Sequence, residues 1–155
     1  MTLMVDDERP IVRSPPLFGP ITLEDMRKNE LLTKTVMPLI KQACDHSRGR
    51  HTVQNIADGL VDGAYQLWGV MRPPASLESV AITHRRNRVF EILALGPDLD
   101  EIVPFVPHLT GVARDQGCDR ISLNGPSFLR RRLPEGWRPA AVVYEKLLDH
   151  APRQD

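Results

Sequence analysis

The apolar residues of this 155-residue chain change their spacing near residue 64, from a helical period to an alternating one. Alternation predicts three β-strands, at about 64–71, 79–84 and 89–95. The second and third are joined by a short charged turn, so we expect a hairpin. Three consecutive antiparallel strands must form a sheet, and an all-helical fold is therefore excluded.

Helical spacing precedes and follows these strands. Thr22 and Thr52 each have the pattern of a helix N-cap, which predicts a first helix over about 23–47 and a short second helix ending at Asp62-Gly63. Because Pro38 lies inside the first helix, we expect either a kink or two helices that meet near Val36. The later elements are a helix that forms by Phe105 and ends at Gly117, a strand over 120–123, a helix over 126–133 and a last strand over 141–147.

This order predicts an α/β (α+β) fold, with a mixed, mostly antiparallel central sheet and helices on both faces. Residues 1–21 contain four prolines and no periodic pattern. We therefore expect an extended N-terminal arm over 1–21, a single domain over 22–149 and a short tail over 150–155.

Composition narrows the function classes. Twenty basic and 20 acidic residues give a formal net charge of +0, which argues against a wholly basic surface for nucleic acid. No apolar run approaches the roughly 20 residues of a membrane span, and the acidic N-terminus lacks a signal-peptide core, so we expect a cytoplasmic protein or a component of a particle assembled there. Cys44, Cys118 and the five dispersed histidines have no metal-binding spacing, so we expect two free thiols and no metal site.

Several short motifs lie between residues 64 and 148. They are Leu67-Trp68, the acidic turn Asp98-Leu99-Asp100-Glu101, the run ARDQGCDR over 113–120, the run NGPSFLR over 124–130, Leu133, Gly136-Trp137 and Glu145-Lys146-Leu147. Together they resemble the GCN5-related N-acetyltransferase (GNAT)-like proteins of tailed phages and prophages. The resemblance implies a split sheet, whose parallel strands part to admit the pantetheine arm of acyl-coenzyme A. It also implies that some phage members are components of the virion or are ejected from it.

One motif of the family's enzymes is replaced in this chain. They place an Arg/Gln-x-x-Gly-x-Gly/Ala loop after the strand that corresponds to 89–95, and its amides bind the pyrophosphate. The matching positions here are Gly96-Pro97 followed by the acidic turn. A carboxylate about 5 Å from a phosphate costs on the order of 3 kcal/mol at an effective dielectric constant of about 20. We therefore expect that acyl-coenzyme A does not bind in the usual manner and that the chain uses no cofactor.

Catalytic residues are also incompletely matched. The helix that carries a general-acid Tyr in active members has Phe128 instead. Glu91 is the best candidate for a general base by position, with His84 and Glu78 behind it. The alternative for Glu91 is an exposed acid on an alternating strand. If the chain is an enzyme, its cofactor is acetyl-coenzyme A, and the resemblance implies binding by Leu95, Gly96, Leu99 and Asn124.

Arginines form the dense basic features, as Arg130, Arg131 and Arg132 and as the 85–88 turn. Arginine binds carboxylates through two parallel hydrogen bonds, so we expect Arg130–Arg132 to contact the acids Asp98, Asp100 and Glu101 of a neighbouring copy. The alternatives are a solvated surface and a nucleic-acid contact, for which the chain has few aromatic residues.

The sequence thus predicts a GNAT-like phage or prophage protein without efficient catalysis. It would serve as a virion-associated or assembly module that binds other virion proteins or itself, in the host cytoplasm or the phage particle. The alternative is an active acyl-coenzyme A-dependent N-acyltransferase with a non-standard pyrophosphate loop.

Overall fold

The computed structural model describes residues 15–45, 50–73, 76–124 and 127–140, together with positions 146 and 148. No helix in these stretches is long and apolar enough to cross a membrane. The strands are β1 (Leu17–Ile21), β2 (Tyr65–Arg72), β3 (Ser76–Arg86), β4 (Val89–Pro97) and β5 (Arg120–Leu123). The α-helices are α1 (Leu23–Lys28), α2 (Glu30–Asp45), α3 (Val53–Val61), α4 (Leu99–Ile102) and α5 (Val106–Asp115), and 3₁₀ helices cover Val103–Phe105 and Ser127–Arg131.

The described residues form one sheet in the order β1-β2-β3-β4-β5. Each of the first three strands pairs antiparallel with the next, and β5 pairs parallel with β4. A parallel neighbour needs a long crossover, which α4 and α5 supply. The predicted mixed, mostly antiparallel sheet is confirmed.

Two apolar layers cover the sheet. On one face, α2 and α3 pack Val36, Ile40 and Ile56 against Leu67 and Ile82. On the other face, Ile102 and the α5 residues Leu109 and Ala113 pack against Trp68 and Phe90. The central strands are buried on both faces and therefore contain long apolar runs.

The N-terminal arm is in part a strand. Residues 17–21, which the sequence places in the arm, pair with β2, from Leu17 opposite Met71 to Ile21 opposite Leu67. Pro20 lacks an amide hydrogen, and the strand tolerates it because β1 lies at the sheet edge. Residues 1–14 lie outside the described residues, so the rest of the arm and the domain limits remain predictions.

The first helical segment divides at a different residue from the one expected. Pro38 lies inside α2, whereas the chain leaves helical geometry at Asn29, with φ −135° and ψ 96°. The side chain of Asn29 accepts a hydrogen bond from the Leu32 amide at 3.1 Å, so it caps the start of α2. The predicted junction near Val36 was wrong, because α2 continues through that residue and the capping asparagine sets the boundary, whereas the kink at Pro38 stays a prediction.

The remaining elements follow the sequence more closely. Thr52 caps α3 by accepting from the Asn55 amide at 3.1 Å, as predicted. The hairpin strands are longer than expected, because β3 begins at Ser76 and β4 continues to Pro97. The predicted helix over 126–133 is the 3₁₀ helix Ser127–Arg131, and the predicted strand over 141–147 lies almost entirely outside the described residues.

Candidate functional site

The parallel strands β4 and β5 pair over a short distance. Their register runs from Val89 opposite Arg120 to Ile92 opposite Leu123, and β4 then continues to Pro97 without β5 beside it. A β-bulge lies at this point, because Ile82 of β3 pairs with Ala94 and Thr83 pairs with Ile92. Such a bulge bends the strand and strengthens its twist. The pairing covers the whole of β5, and the last five residues of β4 extend beyond it, so the split sheet that the resemblance implies stays a prediction.

The carboxyl end of β4 leads into an acidic junction, which comprises Glu78 of β3 with Asp98, Asp100 and Glu101. Asp98 is the N-cap of α4, and its Oδ1 accepts a hydrogen bond from the Glu101 amide at 3.2 Å. A phosphate at a helix N-terminus accepts hydrogen bonds from these same free amides. The Asp98 carboxylate therefore already occupies the position that a pyrophosphate would need.

Arg72, the last residue of β2, binds two acids of the junction. Its Nη2 lies 3.0 and 2.9 Å from the two carboxylate oxygens of Glu101, and its Nε lies 3.1 Å from Oε1 of Glu78. The hydrogen bond to Glu101, and the charges of both glutamates, raise the pKa of the Arg72 guanidinium. Glu78 and Glu101 are therefore both paired with a guanidinium of their own chain.

Arg132 pairs through Nη1 with Asp100 of the same chain. The sequence predicts that Arg130–Arg132 contact these acids on a neighbouring copy. For Arg132 that prediction is corrected, because Arg132 contacts Asp100, and Arg72 contacts Glu101, within one molecule. Arg130 and Arg131 are exposed and form no ion pair among the described residues.

The residues expected to bind a cofactor are divided between core and surface. Leu95 and Leu99 are 3% and 7% exposed and pack in the α5-side core, and Gly96 is buried with φ +137°, a conformation that favours glycine. Asn124 is exposed directly after β5. None of them lines either of the two clefts described below.

Three carboxylates of the junction lie near enough to one another to suit a cation. Oxygen atoms of Glu78, Asp98 and Glu101 all lie within 4.8 Å of one another. Sequence spacing did not bring Glu78 to the other two, and the expectation of no metal site rested on spacing alone. The guanidinium of Arg72 already supplies positive charge to this group.

A polar row crosses the sheet at its other end and comprises Tyr65, His84, Glu91 and Ser122. These residues are successive register partners on β2, β3, β4 and β5, so their side chains share one face. The rings of Tyr65 and His84 meet edge to face with centroids 5.3 Å apart, and His84 Nδ1 lies 3.9 Å from Glu91 Oε1. The same oxygen lies 3.2 Å from Nε of Arg86.

His84 and Glu91 are therefore brought together as candidate proton-transfer groups. Glu78, the third candidate base, lies instead in the acidic junction with Arg72. Ser122 belongs to this group only through the strand register, because no spacing in the sequence indicates it.

A shallow cleft of about 480 Å³ opens beside the polar row. Burial lowers the pKa of His51, the charge of Arg50 lowers it further, and the charge of Glu91 opposes both effects. The balance of these effects leaves the pKa of His51 below its ordinary value, which favours the neutral imidazole. The cleft is lined by Arg50, His51, Asn55, Asp58, Gly59, Asp62, Ala64, Tyr65 and His84. A second cleft, of about 260 Å³, lies where α1, the end of α3 and the start of β2 meet.

The two arginine groups lie at opposite ends of β4. Arg132 is held at the acidic junction by Asp100, whereas Arg85, Arg86 and Arg88 lie at the hairpin turn where β4 begins. Nine residues of strand separate these ends, which is roughly 27 Å. The arginines therefore do not converge on one nucleic-acid-binding face.

No protein-family model matches this chain, and no curated protein matches it. Solved structures do match. A probable acetyltransferase aligns over 88% of this chain and 99% of its own, with a TM-score of 0.61 and 13% identity. A GNAT family acetyltransferase from Staphylococcus aureus aligns over 86% and 98%, with a TM-score of 0.54 and 11% identity. A predicted acetyltransferase from Clostridium acetobutylicum, solved with acetyl-coenzyme A, aligns over 86% and 96%, with a TM-score of 0.53 and 10% identity. The chain has the GNAT fold.

Proposed function

We propose that this chain is a GNAT-like module that has lost acyl-coenzyme A-dependent catalysis and acts through contacts with other proteins. On the resemblance to phage and prophage proteins, those partners are virion proteins or a second copy of the chain. Its place of action is then the phage particle or its assembly in the host cytoplasm.

One observation carries the proposal, the Asp98 side chain at the N-terminus of α4. Asp98 has no cationic partner among the described residues, whereas the other three acids of the junction are paired with Arg72 or Arg132. Its charge therefore remains where an incoming pyrophosphate would lie. At about 5 Å the repulsion is on the order of 3 kcal/mol, and the phosphate would also have to displace the cap. The residues present do not fit the pyrophosphate of acetyl-coenzyme A.

A thermal-shift assay with about 1 mM acetyl-coenzyme A tests the proposal. A ligand at 100 times its Kd stabilises a protein by about 2.7 kcal/mol, which corresponds to about 5–10 °C in Tm for a chain of this size. We expect a shift below about 1 °C, because a Kd near or above the ligand concentration leaves little stabilisation.

The matched variant is Asp98→Ser, because serine is also a good N-cap and carries no charge. A shift in this variant and none in the natural chain would identify the carboxylate as the barrier. A shift of about 5–10 °C in the natural chain overturns the proposal.

A second candidate is an active N-acyltransferase, and the position of Glu91 favours it. Glu91 lies near the end of the paired part of β4, opposite Ser122, and His84 Nδ1 lies 3.9 Å from its Oε1. In that case Glu91 accepts a proton from the amine acceptor, while the backbone near Leu95, Gly96 and Leu99 with Asn124 forms a non-standard cofactor site. The activity is measured as release of the coenzyme A thiol from acetyl-coenzyme A in the presence of a panel of amines. This candidate function requires turnover that Glu91→Gln abolishes.

Contacts through Arg130 and Arg131 remain part of the proposal. Both are exposed, and neither has an acidic partner among the described residues, so each can pair with an acid of another protein. Sedimentation at low and high salt tests the self-association form. We expect association that weakens with salt, and a monomer under both conditions contradicts it.

A further inference from the structure

The turn between β3 and β4 carries arginines that the proposal above does not use. We call Arg85, Arg86, Arg88 and Arg120 the arginine tip. The first three lie at or beside the two-residue turn, because Arg86 pairs with Val89 across it. Arg120, the first residue of β5, joins them because it pairs with Val89 from the other side.

Strand register fixes the spacing of the tip. Arg86, Val89 and Arg120 are successive partners on three neighbouring strands, so Arg86 and Arg120 lie on the same face of the sheet. Adjacent strands are about 4.8 Å apart, which separates the two arginine backbones by roughly 10 Å. That spacing suits two carboxylates on one extended segment.

The tip has more cations than anions. Arg86 contacts Glu91, and Asp119 is shared by Arg88 at 3.2 Å and Arg120 at 3.7 Å. Four guanidinium groups against two carboxylates leave a formal charge of +2. The side chains of Arg86, Arg88 and Arg120 are 70–72% exposed. These contacts use Nε, and the planar pair of Nη groups is the part of arginine that binds a further carboxylate.

The turn is held in one conformation. Asn87 has φ +56°, which asparagine adopts more readily than most residues. Its carbonyl accepts a hydrogen bond from Arg85 Nε at 3.2 Å, and the Arg88 carbonyl accepts one from the Asp119 amide at 2.9 Å. Because the backbone of the turn is already ordered, binding of a partner costs less conformational entropy.

We infer that the arginine tip is a docking surface for an acidic segment of a partner protein. The inference rests on the proposed interaction role. A carboxylate partner fits better than a nucleic acid, because the surplus charge is small and the nearest strand aromatic, Phe90, is 2% exposed and cannot stack on a base. The other arginine group lies at the far end of β4, so no continuous basic groove exists among the described residues.

Fluorescence anisotropy with a labelled ten-residue glutamate peptide, at about 50 mM salt, measures docking. The test variant is Arg86→Gln/Arg120→Gln, which removes the two arginines whose spacing the register fixes. The control is Arg27→Gln/Lys41→Gln, which removes the same charge from exposed positions on α1 and α2. We expect the tip variant to weaken binding about tenfold and the control less than about twofold, because only the tip arginines contact the peptide. Far-ultraviolet circular dichroism verifies that both variants fold.

Several results would overturn the inference. One is no binding of the peptide by the natural chain, and another is equal weakening by the two variants. Tighter binding of a ten-nucleotide single-stranded DNA than of the glutamate peptide would indicate that the partner is a nucleic acid and not a protein. If Arg130→Gln/Arg131→Gln loses peptide binding and the tip variant does not, the docking surface lies at the other end of β4. The thermal-shift assay with acetyl-coenzyme A does not depend on the tip, so failure there is a separate result.

Discussion

Thr83→Val tests a buried hydrogen bond at the β-bulge between β3 and β4. Trp68 Nε1 donates to Thr83 Oγ1 at 2.8 Å, and these residues are 5% and 2% exposed. Valine has nearly the shape of threonine, but it leaves the indole N–H buried without an acceptor. That state costs about 1–3 kcal/mol, which lowers Tm by about 2–12 °C in a chain of this size.

The assay is urea unfolding followed by far-ultraviolet circular dichroism. Tryptophan fluorescence is unsuitable, because the double-mutant cycle also includes a Trp68→Phe background. Thr83→Ser keeps the hydroxyl and loses one methyl group, so we expect it to cost about 1 kcal/mol. In the Trp68→Phe background the N–H is absent, and Thr83→Val should then cost less than about 0.5 kcal/mol. An equal cost of Thr83→Val in both backgrounds, within about 0.3 kcal/mol, would show that this hydrogen bond adds no stability.

Three further predictions concern packing, thiol reactivity and pH. Gly59→Ala places a methyl group inside the van der Waals radius of the Tyr65 ring, so it should lower the free energy of urea unfolding by about 1–3 kcal/mol. Gly111 has open space around it in a helix, so Gly111→Ala should raise that free energy by about 0.5–1 kcal/mol. Burial, and a neighbouring aspartate, raise the pKa of the Cys44 thiol, so a colorimetric thiol reagent at about pH 8 should label Cys118 first; equal rates would contradict this. Hydrogen bonds from the N-cap residue Thr22 lower the pKa of Asp25 below its ordinary 3.8. The stabilisation from the Asp25 carboxylate is therefore present above pH 3.8 and is lost as the pH falls through the lowered pKa. Asp25→Asn should flatten the plot of unfolding free energy against pH between about pH 5 and 3.

The sequence predicts the central elements because each has a recognisable apolar pattern. β3 and β4 are covered on both faces and therefore contain long apolar runs, whereas α2 and α3 are covered on one face and show a helical period. β1 could not be recognised in this way, because two of its five residues are Gly19 and Pro20 and it has only one neighbour. The helix break was missed because Pro38 is the stronger local signal, whereas Asn29 acts through a single capping hydrogen bond.

The two polar groups of the candidate site were predictable only in part. Asp98, Asp100 and Glu101 are consecutive enough to be recognised as an acidic turn. Arg72 reaches Glu101 because β2 and β3 carry it to the end of β4, and that position depends on register. The polar row has the same origin, since its four members belong to four strands and have no common spacing along the chain.

The contacts of Arg72 sharpen the reason for doubting cofactor binding. The sequence alone suggests three unpaired acids facing a phosphate, and the structure reduces that repulsion, because Arg72 and Arg132 pair with three of the four acids of the junction. The remaining obstacle is Asp98, which both keeps its charge and fills the helix N-terminus. Removal of its charge alone, as in Asp98→Ser, is therefore the decisive test, whereas substitution of Glu101 would leave Arg72 without one of its carboxylates and would disturb the end of the sheet.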